Sequence, residues 1–298
     1  MATNPYLQLI PRPAAGSINT GLSALRVGTQ RQYLGMPRAA YNSECRPVTD
    51  PALRARMLTA DVGPFRVTGF DWAVWALQRI MADVLAADQV LYAGLGSAGM
   101  LCARLVRGSS STPSNHSWGL ALDLTVFGVL DTRGDNQTLS ALMDLYPHFR
   151  RHGWYWGAAY PTEDSMHWEP AQETFVGWMT GTIPAPTPLD VVAVEDAIAA
   201  GAATRPGLQV GELRIEGEIE EGALLVPARP ACTALGLPCD FVAPRFLQIG
   251  ARRLAGVMRD GRLYVPARDL CVYAWAADAW DGDTKTLIAT LPDPGAGR

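Results

Sequence analysis

The segment Ser114-Asn-His-Ser-Trp-Gly-Leu-Ala-Leu-Asp123 combines a strand pattern with residues that can bind a metal ion. After Gly119, leucines alternate with small or polar residues, which predicts a β-strand with the leucines on one face and Asp123 on the other. A carboxylate on a mostly apolar strand needs a partner, because burial of an unpaired charge is costly. A metal ion shared with His116 would meet that need, and Gly119 would let the chain turn between the two ligands.

A second polar cluster, Asp164-Ser-Met-His-Trp-Glu169, completes a set of metal donors. With His116 and Asp123, His167 provides two imidazoles and one carboxylate. Catalytic zinc takes three protein ligands and leaves its fourth position to water. Asp164 lies three residues before His167 and could take a proton from that water, whose pKa zinc lowers to about 7. The sequence therefore predicts a single Zn²⁺ with three protein ligands.

The composition is typical of a globular protein and excludes several functional classes. Of 298 residues, 48% are hydrophobic and 18% charged, which is enough apolar material for two domains or one large one. The net charge of −4, with no basic run, argues against nucleic-acid binding. The most apolar stretch, residues 89–103, is shorter than the roughly 20 residues of a membrane span. The N-terminus has no basic region followed by an apolar one, so no signal peptide is predicted.

The first 181 residues are expected to form an α+β domain. Residues 1–64 are rich in proline and predict an irregular extension with short helices. Apolar residues at three- and four-residue spacing predict an amphipathic helix over residues 71–87. Residues 89–93 (QVLYA) predict a buried strand, and residues 138–152 predict a second helix. We expect a small antiparallel sheet, flanked by these helices, to carry the zinc site.

The remainder of the chain has a different texture. A Pro/Ala-rich linker is expected over residues 182–207, with a short helix from residue 190 to residue 200. In residues 208–298, Val226-Pro-Ala-Arg recurs as Val265-Pro-Ala-Arg, a period of 39 residues. Short alternating apolar stretches precede each copy. This pattern predicts a β-rich module of two related halves.

The combined pattern S-x-H-x-x-G-x-A-x-D from Ser114 and D-x-x-H-W-E from Asp164 resembles the M15 family of peptidoglycan peptidases. That family includes D-alanyl-D-alanine carboxypeptidases and dipeptidases, and phage endolysins that cut between L-alanine and D-glutamate. Arg104-Leu-Val-Arg-Gly108 is similar to the family's R-x-x-x-G lead-in. Gly153-Trp-Tyr-Trp-Gly157 is similar to its aromatic stretch before the last histidine. The resemblance covers residues 33–181.

The resemblance implies a catalytic role for five residues. His116, Asp123 and His167 would be the zinc ligands. Asp164 would be the general base, and Arg104 the cation that stabilises the oxyanion. Arg104 could instead be a surface cation, and its neighbour Arg107 is then the competing choice for that role.

Three further positions receive supporting roles from the same resemblance. Ser114 would contact substrate near the metal, and Glu169 would orient a ligating histidine. The aromatic residues of Trp154-Tyr-Trp156 and Trp168 are either core residues or the lining of a groove for the peptide. Among them Trp156 is our candidate for substrate binding.

The resemblance leaves three functions open. The base is Asp164, whereas many carboxypeptidase members have glutamate, and this favours an endolysin-type L-alanyl-D-glutamate endopeptidase. The first alternative is a D-alanyl-D-alanine carboxypeptidase. The second is a non-hydrolytic zinc module that binds wall polymer or a partner protein, because Hedgehog signalling domains keep a similar fold and metal site. The presence of both Asp164 and Arg104 favours an enzyme.

The C-terminal repeat resembles the copper amine oxidase N-terminal-like, or stalk, domain of bacterial wall proteins. Residues 208–298 contain no histidine, so no copper site is implied. Wall targeting or homodimerisation is the role inferred from the resemblance. The expected partner of the whole protein is the peptidoglycan stem peptide, with no nucleic acid and no membrane span. A wall enzyme without a signal peptide would be released by lysis or a holin, or exported by an unrecognised route.

Three other patterns are assigned no function. Gly94-Leu-Gly-Ser-Ala-Gly99 fits the dinucleotide-binding pattern G-x-G-x-x-G, but no clean helix follows it. His148 and His152 lack the glutamate of a zincin motif, and two arginines lie between them, so we expect surface histidines on a helix. The five cysteines contain no C-x-x-C motif and are expected to be buried free thiols.

Overall fold

A computed structural model describes residues 4–202, 206–220, 222–242, 246–249, 252–259, 262–274, 276–281 and 286–291. Its mixture of helices and several small antiparallel sheets confirms the predicted α+β class. Within the described ranges, no helix combines the length and the apolar character needed to cross a bilayer.

The α-helices of the described residues include one, Val191–Ala202, within the predicted linker, close to the helix expected over residues 190–200. They are α1 (Val27–Leu34), α2 (Pro51–Arg54), α3 (Asp71–Ala87), α4 (Gln89–Ala93), α5 (Ser140–Arg151), α6 (Gln172–Thr180), α7 (Val191–Ala202), α8 (Ala228–Ala234) and α9 (Ala267–Tyr273). Short 3-10 helices cover Pro5–Leu7, Ala15–Ser17, Asn115–Trp118 and Gly157–Ala159.

The strands are short. In the first two thirds of the chain they are β1 (Leu9–Pro11), β2 (Met57–Asp61), β3 (Arg66–Phe70), β4 (Leu95–Gly99), β5 (Leu122–Val126), β6 (Val129–Leu130), β7 (Gln137–Leu139), β8 (Trp154–Trp156) and β9 (His167–Pro170). In the last third they are β10 (Gly207–Val210), β11 (Leu213–Glu216), β12 (Glu218–Glu220), β13 (Ala223–Pro227), β14 (Asp240–Val242), β15 (Phe246–Ile249), β16 (Arg252–Ala255), β17 (Val257–Arg259), β18 (Arg262–Pro266), β19 (Ala277–Asp281) and β20 (Thr286–Thr290).

The chain divides into two compact units. Leu9–Val84 and Gly94–Val192 form the first, here called the site unit. Met1–Gln8, Leu85–Ala93 and Ala193–Arg298 form the second, here called the repeat unit. The predicted linker over residues 182–207 and the domain limits built on it stay predictions.

The site unit is organised around an antiparallel sheet of strand order β4-β5-β9-β8, with β6 paired to β5. The predicted strand after Gly119 is β5, and its leucines Leu122 and Leu124 are buried. In the pairing of β5 with β9, Leu122 lies opposite Trp168 and Asp123 lies opposite His167. Two residues far apart in sequence therefore become cross-strand neighbours.

Helix α3 has the bounds that the apolar spacing predicts. The side chain of Asp71 accepts a hydrogen bond from the backbone N–H of Trp72 at 2.7 Å, and such a carboxylate stabilises a helix N-terminus. The guanidinium of Arg56 donates two 2.7 Å hydrogen bonds to the same carboxylate. The apolar face of α3, which includes Leu77 and Ile80, is fully buried in the core.

The structure corrects two secondary-structure predictions. Residues 89–93 form helix α4 rather than a strand, because the side chain of Asp88 accepts a hydrogen bond from Leu91 N at 2.9 Å and caps the turn. The second helix, α5, begins at Ser140 and not at residue 138, because Gln137–Leu139 pairs as β7 with β1. The N-terminal extension accordingly contains strands as well as short helices.

The prediction of two surface histidines on a helix is wrong for His148. This residue is 6% exposed, because it lies on the same face of α5 as the buried residues Ala141 and Leu145. His152 follows the helix and is partly buried, with Nε2 2.9 Å from Oδ2 of Asp83.

The aromatic residues that the sequence left open belong mainly to the core. Trp154, Trp156 and Trp168 have no exposed surface. The rings of Trp156 and Trp168 stack with centroids 5.2 Å apart, and Phe149 stacks on Trp168 at 4.2 Å. Stacking of these aromatic rings therefore helps to hold β8 against β9.

The glycine pattern at residues 94–99 is part of β4, which pairs antiparallel with β5. A dinucleotide-binding turn joins a strand to a helix within a parallel unit, and β4 does not lie in such a unit. The structure thus agrees with the rejection of a nucleotide-binding function for this segment.

The cysteines only partly match the prediction of buried free thiols. Cys232, Cys239 and Cys271 are free and buried, as predicted. Cys45 and Cys102 instead form a disulfide across a sequence separation of 57 residues. Backbone hydrogen bonds between Arg46 and Ala103, in both directions at 3.2 Å, align the two segments beside it.

The repeat unit contains the two related halves that the V-P-A-R repeat predicts. The elements β12, β13 and α8 recur as β17, β18 and α9, each displaced by 39 residues. Strands β13 and β18 pair antiparallel with Val226 opposite Val265, so the two copies of the repeat face each other in the sheet β12-β13-β18-β17.

Candidate metal centre

His116, Asp123 and His167 come together in the site unit. One ligand atom from each residue lies within 4.8 Å of the others. Oδ1 of Asp123 is 3.3 Å from Nε2 of His116 and 3.2 Å from Nδ1 of His167. The two imidazole rings meet edge to face, with centroids 5.1 Å apart. Two nitrogen donors and a carboxylate thus converge on one point.

Local structure explains how each donor is placed. Asp123 and His167 face each other because β5 and β9 pair in that register. His116 lies on the 3-10 helix Asn115–Trp118, which ends at Gly119 in the left-handed conformation, with φ at 65°. A Cβ atom at Gly119 would lie 2.8 Å from Cα of Gly69, so only glycine fits this turn.

The other nitrogen of each imidazole has its own hydrogen-bonding partner. Nδ1 of His116 is 3.2 Å from the carbonyl oxygen of Met100. Nε2 of His167 is 3.1 Å from Oε2 of Glu169. Because these partners accept hydrogen bonds, they hold one N–H of each ring on the side away from Asp123, so the nitrogen that faces Asp123 can lose its proton and bind a metal ion. Such an arrangement is typical of histidines that bind a metal.

Glu169 has no exposed surface and is held by four partners. Its carboxylate accepts hydrogen bonds from Leu25 N at 2.8 Å, from Nδ2 of Asn115 at 2.6 Å and from the hydroxyl of Tyr160 at 2.8 Å, besides its contact with His167. Burial alone would raise the pKa of Glu169, but the hydrogen bonds, first among them that from His167, lower it below its usual value. These contacts favour a negatively charged Glu169 behind His167, and the role of Glu169 in orienting that histidine stays a prediction.

The charges of the donor set favour a cation at its centre. Burial opposes ionisation of Asp123, yet hydrogen bonds with His116 and His167 hold the pKa of its carboxyl well below the usual range. Burial also opposes a charge on His167, yet Asp123 and Glu169 raise the pKa of its imidazole to about 10. Carboxylates that stabilise a proton on a buried histidine also stabilise a metal ion that replaces this proton.

The residues present fit zinc. Two imidazole nitrogens and one carboxylate oxygen form the three-ligand set of catalytic zinc sites. The hydrogen bonds to Met100 and Glu169 supply the outer partners that fix ligand orientation. Among the residues that the structure describes, this is the cluster of three or more His, Cys, Asp or Glu side chains able to hold a metal.

The donor set opens onto a cavity of about 560 Å³ in the site unit. Its wall includes the predicted base Asp164, the predicted oxyanion cation Arg104 and Ser114, together with the three donors. The other lining residues are Val27, Ala98, Val106, Arg107, Pro113, Asn115, Leu130, Arg133, Tyr160, Pro161, Thr162 and Met166. A peptide segment bound there would contact both the metal donors and Asp164.

Asp164 lies on the wall of the cavity and is tied to the metal centre through the backbone. Its carbonyl oxygen accepts a hydrogen bond from His167 N at 3.0 Å, and its own N–H donates to Gly157 O at 3.1 Å. Oδ2 of Asp164 is 3.1 Å from Nε of Arg133. Burial raises the pKa of the carboxyl group above its usual value, and the role of Asp164 as the base stays a prediction.

The structure places both candidate oxyanion cations on the cavity wall. Arg104 donates from Nη1 to the carbonyl oxygen of Leu105 at 3.0 Å, and Arg107 is more exposed. Ser114 is 7% exposed and donates from its N–H to Arg104 O at 2.9 Å. The assignment of the oxyanion cation to Arg104 rather than Arg107 stays a prediction.

The prediction of a substrate-binding role for Trp156 is wrong. Its side chain has no exposed surface, its indole N–H donates to Ser165 O at 2.7 Å, and its ring stacks on Trp168. Trp156 does not line the cavity. Trp156 is a core residue of β8, the strand that pairs with β9, and it has no exposed surface that a ligand could contact.

Several residues of the centre carried no signal that sequence reasoning used. Arg133 lies in the irregular loop between β6 and β7, where no periodicity or motif marks it. The contacts of Met100 O and Tyr160 depend on tertiary packing. Asn115 is different, because it directly precedes the donor His116 in the sequence. A polar side chain next to a metal donor is a signal from which a partner for Glu169 could have been predicted.

Residues 107–170, about a fifth of the chain, match an M15 peptidase family model described as D-alanyl-D-alanine carboxypeptidase. This range contains the three donors and Asp164. No curated protein and no solved structure matches the chain. The match supports a metallopeptidase that acts on peptidoglycan of the cell wall. M15 peptidases are generally zinc-dependent, and the His116, Asp123 and His167 group could hold the metal.

Proposed function

We propose that this protein is a zinc-dependent peptidoglycan hydrolase that cleaves an amide bond of the stem peptide. The observation that carries the proposal is the convergence of His116, Asp123 and His167 on a cavity that also contains the buried carboxyl of Asp164. A module that only binds zinc has no need of a base on the same cavity wall. The family model that covers this range is a peptidase model, which supports the same class.

Each residue of the site has a separate proposed role in amide hydrolysis. Zinc bound by the three donors would acidify a water molecule and polarise the scissile carbonyl. Oδ2 of Asp164 is engaged with Arg133, which leaves Oδ1 to accept a proton from the attacking water and to return it to the leaving amine. Arg104 donates hydrogen bonds to the oxygen on which negative charge develops. Ser114 holds the substrate backbone near the donors.

Among the stem-peptide bonds, we favour the L-alanyl-D-glutamate bond, as in endolysins, because the base is Asp164 and not glutamate. The description of the matching family model favours the alternative, a D-alanyl-D-alanine carboxypeptidase. Incubation of the zinc-loaded protein with purified peptidoglycan, followed by fragment analysis, separates the two. New N-terminal D-glutamate supports the endopeptidase, whereas free D-alanine without it supports the carboxypeptidase.

The Asp164→Ala variant tests the mechanism. We expect it to retain zinc, because Asp164 contributes no donor atom to the cluster, and to lose at least about a hundredfold in hydrolysis rate. Zinc content and release of soluble wall fragments are measured on the same preparations. Hydrolysis at the wild-type rate would contradict the proposed role of Asp164. Absence of hydrolysis in the zinc-loaded wild type would favour the non-hydrolytic binding module.

The repeat unit is proposed to target the wall or to mediate homodimerisation, as the stalk-domain resemblance implies. Its paired halves, with Val226 opposite Val265, support a duplicated module of that kind. Co-sedimentation of the full chain with insoluble peptidoglycan, together with its molar mass in solution, distinguishes the two roles.

A further inference from the structure

The loop of residues 131–136, between β6 and β7, contributes a cation to the cavity wall beside Asp164. We propose that Arg133 binds a free carboxylate of the substrate next to the scissile amide while it holds Asp164 in place. This inference rests on the proposed hydrolase function and adds to it a determinant of substrate choice.

The first argument is that the backbone fixes this loop against the segment that contains Asp164. The N–H of Gly134 donates to the carbonyl oxygen of Glu163 at 2.9 Å and lies 3.1 Å from its side-chain Oε2. Oε1 of Glu163 accepts from Ser165 N at 2.7 Å, and Glu163 is 1% exposed. One buried carboxylate thus ties the residue after Arg133 to the residue after Asp164, so the two side chains are positioned as a pair.

The second argument is the unused hydrogen-bonding capacity of Arg133. Its Nε is 3.1 Å from Oδ2 of Asp164, and its side chain is 38% exposed on the cavity wall. Within the described part of the chain, Asp164 is the recorded partner of this guanidinium. A guanidinium has five N–H donors in a planar fork, so donors on the other edge remain for a ligand that lies beside Asp164.

The third argument is the balance of charge around the cavity. Three arginines line it, Arg104, Arg107 and Arg133, against the two carboxylates Asp123 and Asp164. Asp123 is already paired with two imidazoles, and a divalent metal would add further positive charge. A ligand with a carboxylate is therefore favoured over a neutral one, and a fork-like guanidinium binds a carboxylate with two parallel hydrogen bonds.

The bound carboxylate could belong to either of two stem-peptide groups. An endopeptidase substrate offers a free carboxylate on the side chain or backbone of the residue after the cleaved bond. A carboxypeptidase substrate offers the terminal carboxylate. The shared chemistry is a carboxylate on the leaving side of the amide, and the two sources require separate peptides in the test.

The experiment compares synthetic stem peptides in matched pairs that differ only by carboxylate or carboxamide, one pair at the D-glutamate residue and one at the terminal D-alanine. Wild type, Arg133→Gln and the matched control Arg66→Gln, an arginine that pairs with Asp61 at 3.2 Å and does not line the cavity, are compared in kcat and KM. We expect wild type to prefer one carboxylate peptide by about ten- to a hundredfold in kcat/KM, mainly through KM. The pair that shows the preference identifies the source of the carboxylate.

Loss of Arg133 should have two separable effects. In Arg133→Gln we expect kcat to fall for both members of a pair, because Asp164 is less well held, and the carboxylate preference to collapse toward unity. Arg66→Gln should keep both the preference and the activity of wild type. Arg133→Lys should recover only part of it, because an ammonium lacks the fork geometry. A purely structural role for Arg133 would lower activity without changing the carboxylate-to-carboxamide ratio.

The outcomes separate this inference from the proposed function. Equal use of carboxylate and carboxamide peptides by wild type, or an unchanged preference in Arg133→Gln, overturns the role of Arg133 and leaves the hydrolase intact. If wild type hydrolyses none of the peptides, the proposed function fails. Calorimetric binding of the same peptide pairs to wild type and Arg133→Gln then decides the role of Arg133. Zinc content and thermal unfolding verify that each variant is folded.

Discussion

Glu169 accepts hydrogen bonds from residues that lie far apart in sequence, and it contacts His167 from behind the donor set. Replacement by glutamine keeps the size but substitutes an amide N–H₂ for one acceptor. A buried donor then faces groups that themselves donate. We expect Glu169→Gln to weaken zinc binding about ten- to a hundredfold.

Chelator competition measures the zinc affinity of Glu169→Gln. The control is Glu173→Gln, because Glu173 accepts a hydrogen bond from Ser23 N nearby but makes no contact with the donors. An unchanged affinity in Glu169→Gln would contradict the orienting role, whereas an equal loss in both variants would point to a general effect on the fold.

Asp131 predicts a pH dependence of stability that is separate from the metal centre. It is 5% exposed; its Oδ1 accepts from Leu139 N at 3.0 Å, and its Oδ2 has no recorded partner in the described structure. Burial, with the nearby carboxylate of Glu163, raises the pKa of Asp131 to about 7. Between its ordinary pKa of 3.8 and 7, the folded protein retains a proton that the unfolded chain has released, so the free energy of unfolding falls as pH rises.

Denaturant unfolding of wild type and Asp131→Asn from pH 4.5 to pH 8 measures this effect. We expect wild type to lose on the order of 2 kcal/mol more than the variant over that range. Asparagine keeps an acceptor for Leu139 but does not titrate. Parallel pH profiles for the two proteins would contradict the assignment.

At the scale of single elements, alternation and spacing were enough to predict β5 and α3. The leucine alternation after Gly119 describes β5, and the apolar spacing from Asp71 gives both ends of α3. The strand prediction for residues 89–93 is wrong, because a short apolar run fits a buried strand and a buried helix equally well and the cap from Asp88 favours the helix. The register that brings Asp123 opposite His167 depends on tertiary pairing, which no local pattern specifies.

Because the elements β12, β13 and α8 recur as β17, β18 and α9, the same substitution at equivalent positions of the two copies should change stability by similar amounts. A Cβ atom on Gly217 would clash with the carbonyl oxygen of Leu225 and lie 2.9 Å from Leu224 Cδ1. On Gly256 it would clash with the carbonyl oxygen of Tyr264 and lie 2.7 Å from Leu263 Cδ1. We expect alanine at either position to cost a similar amount, about 1–3 kcal/mol.

Thermal or denaturant unfolding of Gly217→Ala and Gly256→Ala tests this equivalence. Gly28→Ala is the control, because nothing lies within 4 Å of its Cβ position and alanine favours helix α1. A large loss in one half of the repeat and none in the other would show that the two halves are not packed alike.

At the scale of the whole molecule, the Cys45–Cys102 disulfide closes a long loop in the site unit. Its removal should lower the free energy of unfolding by about 2–4 kcal/mol, because a cross-link of this separation restricts the unfolded chain. Unfolding of wild type with and without reductant measures the effect. The Cys45→Ser, Cys102→Ser double variant serves as the control, because reductant should not change its stability. Equal stability of reduced and oxidised wild type would contradict the prediction.

How much of the molecule the sequence predicts depends on whether the signal is local. The three donors and Asp164 lie in two short polar clusters, and the structure brings these clusters to one cavity. Arg133, the carbonyl of Met100 and the pairing of Cys45 with Cys102 join segments without regular periodicity, so no spacing rule points to them. The groove-lining role for Trp156 failed because an aromatic residue beside a ligand strand serves equally well as core.

Residues 19–25 would have to be included if the site unit were transferred into another protein. Asn19 exchanges two hydrogen bonds with the backbone of Trp156, at 2.9 and 3.0 Å, and Leu25 donates to Glu169. Both residues precede residue 107, where the match to the peptidase family model begins. A transplant cut at that boundary would include every donor atom yet leave the carboxylate behind His167 without one of its partners. A fragment that keeps these contacts must therefore begin before Asn19, because Asn19 and Leu25 hydrogen-bond to residues of the site-unit sheet.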